Sequence, residues 1–280
     1  MSSLDLLLFI INLNTILSKK QMTVFKRFHF LLLLFLPAAT YACECTTVSA
    51  TTKFQMSEFV AKAEIVEITP DPLNSDYHDA TIKIITLYKG EHLSKIKIRS
   101  KLNSSCSFLP SRNSTWIIFA SMGDGMLSFG NCSGSMDIGR TFDPIQFPNL
   151  ARDYSKDIKL QESVISFLSD NKIFNPNPSL LWVNNKDFGY LRRYRNNNSF
   201  SVFQIDINTD LTIAAVKQLK RFRNRKLNKL VYDNLSKTLK CSSGIFGEPP
   251  LRPSKIILFC FFNQEDYSDH STVKIMNLLE

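Results

Sequence analysis

The distribution of cysteine constrains this chain most, because all six cysteines follow a short apolar segment near the start. The segment, residues 28–36 (FHFLLLLFL), is apolar except for His29 and follows the basic pair Lys26-Arg27. Pro37 ends it, and small residues stand at the third-last and last positions before Cys43. A charged start, a short apolar run and a small-residue end are typical of a secretory signal peptide.

We therefore predict a signal peptide over 22–42 that is cleaved after Ala42. The apolar run is too short to span a bilayer, which takes about 20 helical residues. A buried core helix would leave the charged and small-residue flanks unexplained. A lipoprotein signal is a further alternative because Cys43 follows directly, although Thr40 stands where a leucine-like residue is usual. The preceding residues 1–21 suggest a start set too far upstream of Met22.

Export would place the six cysteines in an oxidising compartment, where disulfides form and persist. Six cysteines allow fifteen pairings, so their spacing alone does not select one. A zinc site is the alternative. Cys43-x-Cys45 lacks the second close Cys/His pair that a structural zinc site needs.

Charge divides the chain into parts of different character. The formal net charge is +9, and 44% of the residues are hydrophobic. Residues 43–150 carry ten basic and eleven acidic side chains, whereas residues 151–280 carry twenty and thirteen. The composition excludes a disordered chain, a coiled coil and a polytopic membrane protein. The charge asymmetry favours two domains.

Alternating apolar residues predict five short strands in the first part, which is typical of a small β-barrel or sandwich. A helix follows at 158–169, and 171–184 is rich in Asn and Pro. Beyond it the pattern is β–β–α–β, with an amphipathic helix over 225–239. The predicted strands are 59–68, 80–87, 96–100, 116–120, 126–129, 202–207, 211–219 and 256–262. The predicted domains are a leader (1–42), a β domain (43–150), a helix and linker (151–197), an α+β domain (198–263) and a tail (264–280).

The first domain carries Cys43-Glu44-Cys45 at the expected mature terminus, the segment 54–63 (FQMSEFVAKA), the segment 87–90 (LYKG), Cys106 and Cys132. Over residues 43–140 it resembles the netrin-like module of tissue inhibitors of metalloproteinases, of the bacterial secreted type. The resemblance implies an OB-like five-stranded barrel. It also implies disulfides between Cys43 and Cys106 and between Cys45 and Cys132.

The resemblance further implies that Cys43, Glu44 and Cys45 contact a protease. In the animal inhibitors the free amine and carbonyl of the first cysteine chelate the catalytic zinc. The residue between the two cysteines is small and uncharged there, whereas here it is Glu44, and burying an unpaired carboxylate costs several kcal/mol. A third inhibitor disulfide is also missing. A purely structural Cys-x-Cys staple is therefore the competing interpretation.

The second domain resembles the C-terminal domain of TonB-type proteins over 198–263. The resemblance rests on the order of a hairpin, the helix at 225–239, the loop 247–250 (GEPP) and a final apolar strand. It implies a small α+β periplasmic binding domain. We also predict a bond between Cys241, just after the helix, and Cys260, in the last strand. Two buried free thiols are the alternative.

Residues 217–229 hold seven basic side chains and Phe222. The candidate anion-binding residues within it are Lys220, Arg221, Arg223, Arg225 and Lys226. An acidic glycan, lipopolysaccharide or an anionic membrane face would suit an exported protein, and nucleic acid would not. A solvated turn and helix start is the alternative. The same two interpretations apply to the basic-aromatic cluster at 190–195.

No catalytic pattern is found in the sequence. His78, His92 and His270 are scattered through polar segments and are expected at the surface, and there is no Gly-x-Ser-x-Gly motif or phosphate-binding loop. We expect no enzyme, no cofactor and no metal. The expected function is that of an exported, periplasmic, cell-surface or secreted protein that binds another protein and an anionic envelope surface. The alternative is a secreted metalloproteinase inhibitor.

Overall fold

A computed structural model describes residues 43–45, 49–173, 181–184, 194, 200–243, 250–264 and 271–277. The predicted signal peptide and the upstream start lie outside the described residues. Within the described part, no helix is both long and apolar enough to cross a membrane.

Two groups of elements follow one another along the chain. The first comprises α1 (Ala50–Met56), β1 (Phe59–Pro70), β2 (Tyr77–Lys89), β3 (Lys95–Arg99), β4 (Thr115–Gly123), β5 (Met126–Gly130), a short 3-10 helix (Asn131–Ser133), β6 (Met136–Asp137) and α2 (Leu150–Asp170). The second comprises β7 (Leu181–Asn184), β8 (Phe200–Ile207), β9 (Ile213–Lys220), α3 (Arg225–Thr238), β10 (Lys240–Ser243), β11 (Ser254–Gln264) and β12 (Ser271–Asn277).

The first five strands close into a barrel. Their order is β1-β2-β3-β5-β4, and β4 pairs back onto β1 from Phe59↔Ala120 to Glu64↔Thr115. The β3–β5 contact is parallel, and the other four are antiparallel. This is the OB-like barrel expected from the sequence, so the predicted fold class of the first domain is confirmed.

Strand β1 shows how the barrel separates its inside from its outside. Side chains alternate along a strand, so Phe59, Ala61, Ala63 and Ile65 point into the barrel core and are fully buried. Val60, between the first two, belongs to a second core on the outer wall. Three register shifts against β2 bend β1 in the way that bulges let a sheet curve into a barrel.

The helix α2 packs against that outer wall and against the second sheet. Ile158, Val164, Ile165 and Leu168 are buried in one core with β1, β2 and β4. The same core contains Phe200 and Phe259 of the second domain, and the ring of Phe167 lies 6.2 Å and 6.3 Å from theirs. The helix begins eight residues before the predicted 158, because its first two turns are largely exposed and carry little apolar pattern.

The second domain is a four-stranded antiparallel sheet in the order β12-β11-β8-β9. The helix α3 packs Leu227, Val231 and Leu235 into a core with the sheet. This confirms a small α+β domain. The sequence prediction missed the two-stranded β7–β10 ribbon, which places a strand inside the predicted linker, and β12, which lies in the predicted tail.

We predict that Phe259→Ala destabilises the protein by about 3–5 kcal/mol, because it opens a cavity in the core that α2 shares with both domains. Guanidinium denaturation would measure the change. Ile85→Ala is the control, since Ile85 is 54% exposed and should stay within about 0.5 kcal/mol of wild type. A loss below about 1 kcal/mol for Phe259→Ala would contradict the shared core.

Candidate functional site

A disulfide fastens the N-terminal segment to the barrel. Cys45 is bonded to Cys132, with a Cα–Cα distance of 5.1 Å and a sequence separation of 87. Cys132 lies in the 3-10 helix that directly follows β5. The Cys45–Cys132 bridge implied by the netrin-like resemblance is therefore present. Cys43 and Cys106 are also both disulfide-bonded.

The helix α1 follows the staple and is fixed at both ends. At its start, the Ser49 hydroxyl accepts a hydrogen bond from the backbone N–H of Thr52. At its end, the Lys89 ammonium donates to the carbonyls of Phe54 and Gln55, at 2.9 Å and 3.1 Å. Burial lowers the pKa of Lys89. The Thr52 N–H and the carbonyls of Phe54 and Gln55 are backbone groups at the helix ends, where partners outside the helical hydrogen-bond pattern must satisfy them.

A contact beside Cys132 joins α1 to the staple. The side chain of Lys53 lies across Gly134, and a Cβ added there would collide with its Cε. Gly134 also has a φ of +77°, which favours glycine. Burial lowers the pKa of Lys53, and the nearby Asp157 partly offsets that shift.

Residues close to the bonded cysteines in sequence expose polar and apolar side chains to solvent. Glu44 is exposed. The loop 101–113, which carries Cys106, exposes Leu102 and Leu109 at 44% and 45% of their surface. We call Glu44, Leu102 and Leu109, together with the bridged Cys45 and Cys132, the stapled edge.

The cysteines of the barrel domain are not available as metal ligands. Thiolates bind metals, whereas Cys43, Cys45, Cys106 and Cys132 are all oxidised. His78 is buried, not at the surface as predicted, and its Nδ1 is hydrogen-bonded to Ser100 Oγ at 2.8 Å. The position of His78 on β2 directs its ring toward Ser100, a tertiary contact that the sequence does not reveal. His92 is exposed, and His270 lies outside the described residues.

The predicted bond between Cys241 and Cys260 is wrong, since both are free thiols. Cys241 lies in β10, which pairs with β7 in a separate ribbon. Cys260 lies in the middle of β11, between β8 and β12. The two cysteines contribute to one apolar core from different sheets. Burial raises the pKa of Cys260 to about 12 and also raises that of Cys241.

The predicted anion-binding residues separate into two groups. Arg221, Arg223, Arg225 and Lys226 are exposed at the corner where β9 leads into α3. Lys220 instead lies over aromatic rings, with Nζ 3.4 Å from the ring centre of Phe200. Burial lowers the pKa of Lys220. Of the second basic-aromatic cluster, only Tyr194 lies within the described residues.

Lys220 also borders an open groove of about 660 Å³ along α2. The groove is lined by Lys159, Glu162, Ser163, Ser166, Phe167, Asp170 and Lys220. Glu162 is already engaged, since it accepts a hydrogen bond from Tyr88 at 2.8 Å and pairs with Lys62 at 3.0 Å. The groove therefore combines a structural carboxylate with a lysine held over aromatic rings.

The chain was compared with protein-family models and with curated proteins, and neither comparison finds a match. The function of the chain is therefore inferred from its own residues, beginning with the stapled edge.

We predict that Cys45→Ser lowers the free energy of unfolding by about 2–5 kcal/mol, as loss of a native bridge does in small secreted domains. Denaturation without reductant would measure the change. Cys241→Ser is the matched control because Cys241 forms no bridge. Equal stability of the two variants would contradict the role of the staple.

We also predict that the native protein at pH 8 exposes at most one reactive thiol to Ellman's reagent. Cys260 is fully buried and its raised pKa keeps it protonated, and only the thiolate reacts. Unfolding without reductant should release two thiols. Finding none would show that Cys241 and Cys260 are bonded after all.

Proposed function

We propose that this protein is exported and binds another protein through the stapled edge, without enzymatic activity. The observation that carries the proposal is the oxidised state of the barrel domain, in which all four cysteines are disulfide-bonded. Disulfides persist in extracellular and periplasmic compartments and are rare in the cytosol. The bonds support export independently of the predicted signal peptide.

The surface chemistry of the stapled edge supports binding to a protein. In most protein complexes the interface backbone changes little on binding. A surface that a disulfide holds in place therefore needs no reordering before it meets its partner. Leu102 and Leu109 offer apolar area, and Glu44 offers a charge that can select among partners.

The absence of enzymatic activity is part of the proposal, and the buried polar groups of the barrel support it. The hydrogen-bonded pair His78 and Ser100 is almost fully buried, and the Ser100 hydroxyl lies 3.1 Å from the carbonyl oxygen of Asp76. A nucleophile must reach its substrate, and this hydroxyl does not face solvent. The pair fits a structural role.

The second candidate function is inhibition of a zinc metalloproteinase. It is favoured by one observation, that Cys43 is disulfide-bonded and so fixed if it becomes the mature terminus. Its unprotonated amine would then be the zinc ligand, as in the inhibitors that the domain resembles. The exposed Glu44 opposes this function, because a carboxylate carried into a protease cleft loses its hydration.

The first test asks whether the stapled edge binds a protein. Proteins are captured from an envelope extract and from culture medium by three forms of the chain. These are wild type, the double variant with Leu102→Ser and Leu109→Ser, and the control Leu73→Ser. Leu73 is 95% exposed on the β1–β2 turn, outside the loop 101–113, and serves as the exposed-leucine control. We expect one protein to be retained by wild type and the control, and at least tenfold less by the double variant. Equal retention by all three would contradict the proposal.

The second test separates the two candidate functions. The chain that begins at Cys43 is compared with a chain that carries one additional alanine before it. An added residue converts the terminal amine into an amide, which cannot chelate zinc. The inhibitor function requires metalloproteinase inhibition that disappears with the added alanine. The binding function predicts no inhibition by either form and unchanged capture of the partner.

A further inference from the structure

Four cations at the corner between β9 and α3 are exposed and have no acidic partner among the residues that the structure describes. We call Arg221, Arg223, Arg225 and Lys226 the basic corner. None of the four forms an ion pair within the described residues. The lysines on either side do form such pairs: Lys217 lies 2.6 Å from Asp206, and Lys229 lies 2.7 Å from Asp233.

The buried ring of Phe222 and the side chain of Asn228 hold the backbone of the basic corner in place. Phe222, between the first two arginines, is 3% exposed, and its ring lies 6.4 Å from that of Phe262. Its backbone N–H donates to Asn228 Oδ1 at 2.9 Å. Asn228 also exchanges two amide hydrogen bonds with Gln218, at 2.7 Å and 3.0 Å. These contacts fix the turn that presents Arg221 and Arg223 to solvent.

The electrostatics of α3 add to the case for an external anion. The helix begins at Arg225 after the cap Asn224, so Arg225 and Lys226 occupy its first turn, which contains no acidic residue. The N-terminus of a helix carries a partial positive charge and favours anions. Two cations there, beside two more in the preceding turn, repel one another and the helix end. A negative charge placed against the corner would offset this repulsion.

We infer that the basic corner docks on the surface of an anionic phospholipid bilayer. A turn that projects between a strand and a helix suits a broad charged surface. Leu219, two residues before Arg221 on β9, is 42% exposed and can enter the boundary between headgroups and acyl chains. Single-stranded nucleic acid would need exposed aromatic side chains among the cations for stacking, and Phe222, the aromatic residue within the corner, is buried.

Lys220 is not part of this surface. Its Nζ lies 3.4 Å from the ring centre of Phe200 and 5.4 Å from that of Phe167, so it stabilises the aromatic core next to α2. The docking surface is thus narrower than the basic segment in the sequence.

The experiment measures binding of the full chain, as recovered after expression, to sedimented vesicles in 0.1 M salt. The vesicles contain phosphatidylcholine alone or with 30% phosphatidylglycerol. In the test variant, glutamine replaces Arg221, Arg223, Arg225 and Lys226. In the charge-matched control, glutamine replaces four cations exposed elsewhere, Lys83, Lys95, Lys159 and Lys237. All proteins share one N-terminus, so a contribution from the leader cancels.

Each cation near an anionic bilayer surface strengthens binding by a factor of about five. We therefore expect the test variant to bind the anionic vesicles at least about a hundredfold more weakly than wild type. The control should stay within about threefold of wild type. Leu219→Ser should weaken binding several-fold, and this loss should persist in 0.5 M salt, where charge attraction is screened.

Three outcomes would overturn the inference. The first is equal binding to neutral and anionic vesicles, and the second is an equal loss in test variant and control. The third is retention on a sulfated polysaccharide column without vesicle binding, which would assign the corner to an acidic glycan. Circular dichroism of every variant establishes that a loss of binding is not a loss of fold.

Discussion

Burial of α2 on two sides is the constraint on which the rest of the structure depends. Val164, Ile165 and Leu168 share one core with the outer wall of the barrel and with Phe200 and Phe259 of the second sheet. Neither surface would remain covered without the helix. Glu162 adds a polar link to the barrel, because it binds Tyr88 and Lys62 from β2 and β1. The pKa of Tyr88 is raised, chiefly by burial and also by this carboxylate, so its hydroxyl remains a donor.

The two candidate surfaces are fixed by different physical means. The stapled edge depends on covalent bonds and on α1, whose last carbonyls are bound by Lys89. The basic corner depends on a buried ring and on a pair of side-chain amides that bind each other, Gln218 and Asn228. Reduction of the disulfides would release the stapled edge and leave the basic corner unchanged, because the second domain contains only free thiols within the described residues.

Much of the fold could be predicted from alternation, and the rest depends on pairings that no local pattern encodes. Strand β1 has an alternating apolar pattern, and the predicted start at Phe59 is correct. Strands β7 and β10 are four residues each and exist because they pair with each other. The packing of Lys220 over Phe200 and the burial of Cys260 likewise depend on tertiary structure, which the local sequence does not encode. The Cys45–Cys132 bridge was predictable only through resemblance, since spacing left fifteen pairings open.

The separation between Cys45 and Cys132 has a consequence for how the chain matures. Synthesis proceeds from the N-terminus, so Cys45 is made 87 residues before its partner. Cys106 is synthesised between them, so any bond that Cys45 forms before Cys132 is made joins it to Cys43 or Cys106. Reaching the native bridge from such a bond requires thiol–disulfide exchange, in which a thiolate attacks an existing disulfide. From such a state, maturation of the barrel involves bond reshuffling as well as chain collapse.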